Sequence, residues 1–176
     1  MFTLSRTARM VTAPSLALFL LAVTSPASHA QKTATLKWGP APAVFPRGAK
    51  MAVVLGDPAK AGTFTAQLSM PARYRIPPHW HPADEHVLVK HGTLVVGMGD
   101  TMDKAAMKTA KVLKPGESVD VKANMHHYAA VRGRTLIEVT AQGPFALTYV
   151  NRADDPQNRT VAKGKGKGKG KMKAKT

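Results

Sequence analysis

An all-β sandwich or barrel is the fold class this sequence predicts, and three observations predict it. Apolar runs of strand length recur at close spacing, Gly and Pro punctuate them, and only residues 100–110 have helical composition. The first run, 51–55, stops at the turn cluster Gly56-Asp57-Pro58. Residues 63–70 alternate apolar and polar, the period of a half-buried strand, and end before Pro71. Runs at 86–90 and 93–98 flank Gly92, which reads as the turn of a hairpin. Residues 100–110, with Met102, Ala105, Ala106 and Met107, read as a short helix or turn in the connection that follows. Lys114-Pro115-Gly116 makes another turn, and 135–140 and 145–150 supply closing strands around Gly143-Pro144.

The chemistry is concentrated in the histidines. Six of the seven follow residue 30, and those six fall in two short segments. The first reads His79-Trp80-His81-Pro82-Ala83-Asp84-Glu85 and closes on Gly92, a spacing of H-x-H-x3-E-x6-G that reads as a metal site on a β-hairpin. Side chains two apart on a strand share a face, so His79 and His81 converge while Trp80 leaves by the other side. Pro82 cannot donate to a ladder and marks the end of the strand or a bulge, after which Glu85 returns with a carboxylate. The second segment, from Gly116 to His127, brings another imidazole from a distant strand.

These residues resemble the two motifs of the cupin superfamily. In the first, G-x5-H-x-H-x3,4-E-x6-G, both histidines, the glutamate and the closing glycine match, while the opening glycine falls on Arg73. In the second, G-x5-P-x-G-x2-H-x3-N, Gly116 and His127 match, and the proline, glycine and asparagine fall on Lys122, Asn124 and Val131. Asn124 is a mild departure, because Asn tolerates the left-handed backbone that a turn glycine normally supplies. The resemblance implies a double-stranded β-helix (jelly-roll) cupin barrel holding one divalent transition metal, Fe, Mn, Ni, Cu or Zn, on His79, His81, Glu85 and His127. It further implies a small-molecule ligand and a homodimer built by strand exchange. Two function classes follow. One is a metal-dependent enzyme, dioxygenase-like on an enolic or phenolic compound or else isomerase-like, with Glu85 as ligand or acid/base. The other is a non-catalytic cupin that binds metal or a small ligand as a sensor or store.

Neighbouring residues compete for these roles. The x3 spacing selects Glu85 over Asp84, which is expected to face solvent, and adjacent strand positions face opposite ways, so the motif count selects His127 over His126. His86 has the wrong parity, His91 precedes the turn glycine and is expected in solvent, and Tyr128 belongs to the outer face. Gln67, Arg73, Arg75, Glu138 and Tyr149 are the remaining candidates for a second acid, base or ligand contact, their parity left open. An arginine at the mouth would favour a carboxylate-bearing ligand.

Residues 1–30 carry Arg6 and Arg9, an apolar run over 16–23 and Ser28-His29-Ala30, the order of a cleavable secretory signal with cleavage after Ala30. The run is too short to span a bilayer. A periplasmic or secreted protein is therefore expected, with a cupin domain over 31–160, and the absence of cysteine excludes disulfides, thiolate ligands and cysteine nucleophiles. The net charge of +16 is uneven, because seven lysines alternate with small residues over 163–175. Such a stretch repels itself and buries nothing, so 161–176 reads as a disordered basic tail. It serves as a solubilising extension or adheres to anionic surfaces, and with no aromatic residue among the lysines no specific nucleic-acid binding is expected.

Overall fold

The computed structural model describes residues 35–158, which form two antiparallel sheets packed face to face. The expected signal segment, 1–30, and the basic tail, 161–176, lie outside the described residues. The strands are β1 (Gly39–Pro40), β2 (Lys50–Leu55), β3 (Gly62–Met70), β4 (Arg75–Trp80), β5 (Glu85–His91) and β6 (Leu94–Met98). After a single helical turn, α1 (Ala106–Thr109), come β7 (Lys111–Leu113), β8 (Ser118–Val121), β9 (His127–Val131), β10 (Thr135–Gly143) and β11 (Thr148–Tyr149). One sheet has the order β1-β2-β3-β10-β5-β8 and the other β11-β4-β9-β6-β7. Successive strands alternate between sheets from β3 to β6, which is the double-stranded β-helix arrangement.

That alternation corrects two expectations. β5 and β6 flank Gly92 but belong to different sheets, so Gly92 turns a corner of the barrel and does not close a hairpin. The corner requires glycine: φ is +82°, and a Cβ at this position would lie only 2.5 Å from the carbonyl oxygen of Arg134. β4 and β5 also lie in opposite sheets, so the first motif spans the barrel and is not carried on one hairpin.

Other elements differ in extent. β10 runs to Gly143, past the expected end at 140, because it pairs along its whole length with β3, Thr135 opposite Met70 and Gly143 opposite Gly62. The closing strand shrinks to β11, two residues paired to Trp80 and His79 of β4. Within 100–110 only Ala106–Thr109 is helical; Ala105 offers no side-chain cap, and four residues cannot hold a helix by propensity.

Inward side chains fill the space between the sheets. On β3 these are Phe64, Ala66, Leu68 and Met70, all buried, in the alternation the sequence carries. Toward one end Met70, Val89, Leu94 and Leu113 are almost completely enclosed, each worth about 1.5–3 kcal/mol of burial. From Leu94 toward Phe64 and Glu85 at the other end, the packing opens into a cavity.

Candidate metal centre

His79 reaches the interior through an irregularity in β4. Ile76 sits opposite Ala129 and His79 opposite His127, so three steps on β4 match two on β9. Strict alternation from the inward Ile76 would turn His79 outward; the extra residue in Pro77-Pro78 reverses that parity. The prolines also lack the N–H groups that a regular ladder would need there. His81 lies one residue past the end of β4, on the corner leading to β5, and His127 opens β9. Glu85 opens β5 in the opposite sheet, flanked by Ala141 and Val121.

These four side chains are buried, at 3%, 4%, 8% and 3% exposure for His79, His81, Glu85 and His127. The three histidines offer ligand-type nitrogens all within 4.8 Å of one another. The Glu85 Oε2 lies 3.7 Å from His81 Nε2 and 3.6 Å from His127 Nε2.

The outer hydrogen bonds fix the tautomers. His79 Nδ1 donates to the Pro77 carbonyl at 2.7 Å, His81 Nδ1 to that of Ala146 at 2.8 Å, and His127 Nδ1 to that of Met125 at 3.0 Å. A carbonyl only accepts, so each Nδ1 carries the proton and each Nε2 presents a lone pair to the centre. Burial, reinforced by the neighbouring His127 and His81, holds His79 well below the ordinary imidazole range. Burial also lowers His81, with Glu85 opposing it. Three lone pairs and a carboxylate therefore face one another, an arrangement that repels itself unless a cation occupies the middle. Imidazole Nε2 with its other nitrogen tied to a carbonyl is the usual preparation of a metal ligand. The donor set thus fits a divalent transition metal, and nitrogen and oxygen donors of this kind leave its identity open among several.

Beyond the four sits a cavity of about 250 Å³. Its walls, from Phe45, Met51, Phe64, Leu68, Val119 and Phe145 among others, are apolar; among the described residues, His79, His81, Glu85 and His127 are the only polar side chains lining it. Phe145 stacks on His81 with ring centroids 4.4 Å apart and meets Phe64 edge-on.

The competing residues lie elsewhere. Asp84 is exposed, yet it accepts from the Ala123 amide and the Lys122 ammonium, both at 2.8 Å, and so ties the first-motif corner to the second-motif turn. Lys122 stands where the motif has proline, and its ion pair with Asp84 is exposed to solvent. His86 and His126 point outward to Asp120 and Asp100, each at 2.6 Å, and His91 is exposed. Tyr128 is on the outer face but not in solvent: it is almost fully buried, lying directly across Gly97. Gln67 bonds Glu138 at 2.9 Å on the outside of the six-stranded sheet. Arg73 and Arg75 lie on the outside of the other sheet, away from the cavity mouth, so neither bears on its ligand. Tyr149 faces His79, but its hydroxyl donates to the Val44 carbonyl. Sequence reasoning missed Asp84, Phe145 and the Ala146 carbonyl as positioning groups, and it missed the bulge in β4, for which the Pro77-Pro78 pair was the available signal.

No protein-family model matches the sequence, and no curated protein matches it. Solved structures do. The polyketide cyclase RemF from Streptomyces resistomycificus aligns with 64% of this chain and 78% of its own, at 17% identity and a TM-score of 0.50. An RmlC-like cupin from Shewanella frigidimarina aligns with 54% of this chain and 76% of its own, at 20% identity and a TM-score of 0.45. An oxalate oxidase aligns with 64% of this chain and 60% of its own, at 20% identity and a TM-score of 0.47. The chain has the cupin fold, a double-stranded β-helix with a three-histidine group at one end of its interior.

Proposed function

We propose that this protein is a metal-dependent enzyme of the cupin fold acting on a small enolic or phenolic compound, with His79, His81, Glu85 and His127 as the metal ligands. The observation that carries the reading is the contrast between the four polar side chains at the centre and the apolar walls around them. A sugar or a polycarboxylate would leave hydroxyls or charges buried without partners, at a cost of about 1–3 kcal/mol for each uncharged group. A flat compound with one chelating oxygen group and an apolar body leaves none, and Phe145 offers a ring face beside His81. A bound divalent metal would supply Lewis acidity toward such an oxygen group. Glu85 stands where it could take the hydroxyl proton of the incoming compound. Proteins sharing the fold include a polyketide cyclase, so catalysis is within its range.

Metal analysis of the purified protein followed by an oxygen-uptake screen against enolic and phenolic compounds tests the proposal. Substrate-dependent uptake with a redox metal supports it. Tightly held zinc without turnover rejects it in favour of a non-catalytic sensor or store, a reading favoured by the lack, among the described residues, of any further acid or base in the cavity wall.

The order of basic, apolar and small residues before Gln31 supports export to the periplasm or beyond, and a mature N-terminus at Gln31 would test it. The lysine-rich tail would then meet anionic surfaces outside the cytoplasm, and binding to anionic vesicles that vanishes on its removal would test that role. A homodimer remains part of the proposal, with sedimentation as its check.

A further inference from the structure

Directly opposed residues form a lateral row across four strands on the outer face of the five-stranded sheet. Arg75 sits opposite Ala130, Ala130 opposite Val95, and Val95 opposite Val112. Met107 of α1 overhangs the row, and Arg73 and Arg132 flank its arginine end, where the Arg73 amide donates to the Arg132 carbonyl at 3.1 Å. Together they line an open groove of about 540 Å³.

Among the described residues, no carboxylate pairs with any of the three guanidinium groups. Every ion pair among the described residues uses lysine or histidine as its cation, and none uses Arg73, Arg75 or Arg132. All ten acidic residues of the sequence fall between Asp57 and Asp155, so neither terminal segment can supply a carboxylate side chain. Three positive forks beside an apolar floor repel one another and match an oxyanion, which each guanidinium can meet with two parallel N–H donors.

We propose that this groove is a second binding site, outside the barrel, for a small amphiphilic oxyanion: a carboxylate or phosphate ester whose charged group sits among Arg73, Arg75 and Arg132 and whose short apolar body lies against Met107 and the exposed Val112, above the buried Val95 and Ala130. Across the sheet, the distance from Arg75 to Val112 is three strand spacings, about 14 Å, which bounds the length of that body. The site is separate from the metal centre and does not depend on the proposed enzymatic reading.

A 15N-resolved NMR titration of the full chain with hexanoate, hexyl phosphate, acetate and hexanol tests the assignment and separates the groove from the cavity. Expected are saturable shifts at the amides of Arg75, Val95, Val112 and Arg132 with hexanoate or hexyl phosphate. Whichever binds more tightly identifies the head group. Acetate and hexanol, each lacking one half of the ligand, should bind more weakly. The double variant R75Q/R132Q, altered only at exposed positions, should keep its dispersed spectrum and lose about tenfold or more in affinity. Shifts confined to cavity residues, equal affinity in the variant, or equal binding of hexanol would overturn the proposal. So would arginine-dependent dimerisation without any response to these anions, because it would assign the counterion to a second copy of the chain.

Discussion

The backbone amide of Asn124 donates to the carbonyl oxygen of His81 at 2.8 Å, so the second-motif turn clamps the corner that carries an imidazole of the first. Asn124 holds φ at +62°, and Arg73, which occupies the first motif's opening-glycine position, holds φ at +63°. Two of the four motif glycine positions thus carry another residue, and both of those residues hold a left-handed backbone. The left-handed conformation costs an L-residue roughly 1–2 kcal/mol.

Arg73→Gly is therefore expected to stabilise the protein by up to about 1 kcal/mol, after the larger unfolded-state entropy of glycine is subtracted. Asn124→Gly should be close to neutral, whereas Asn124→Val should lose about 1–2 kcal/mol. Urea denaturation of the three variants measures this order, and a stable Asn124→Val would remove the conformational argument.

At the candidate metal centre, His127→Ala should abolish bound metal and His126→Ala should leave it near the wild-type level. The first removes an Nε2 lone pair facing two other imidazoles, and the second removes only an exposed contact to Asp100. Metal content by elemental analysis after equal dialysis decides it, and the reverse pattern would mean that the register of β9 is wrong by one residue.

Gly97 lies directly beneath the ring of Tyr128, and a Cβ there would fall 2.0 Å from the ring carbon bearing the hydroxyl. Gly97→Ala should cost about 1–3 kcal/mol through overpacking. Adding Tyr128→Leu should recover part of that loss, and a double-mutant cycle in thermal or urea unfolding reads the coupling.

In the metal-free protein, stability should fall as pH drops below about 6.5. His79 and His81 are held below that value when folded, so the unfolded chain takes up their protons first. The contribution is fully present above 6.5 and lost as pH falls toward the folded values, by at most about 1.4 kcal/mol per pH unit for each group. Urea midpoints between pH 5 and 8 test this, and a flat profile for the metal-free form would contradict the burial argument.

Deleting 163–176 should leave thermal stability almost unchanged, because alternating lysine and glycine bury no apolar area. A large drop in the melting temperature of the truncated chain would show that the segment docks on the barrel.

The sequence by itself determined the local features of this protein. Alternation marked β3, Gly and Pro marked the turns, and the motif spacing singled out His79, His81, Glu85 and His127 over Asp84 and His126. Tertiary structure decided what depends on pairing between distant strands. The extra residue at Pro77-Pro78 has meaning only against the count on β9, yet it is what turns His79 inward. Gly92 looked like a hairpin turn because two strands flanked it, but which sheet each strand joins is set by partners far along the chain. The apolar cavity walls and the row from Arg75 to Val112 are likewise assembled from four or more strands, and no local period in the chain encodes which residues will face one another.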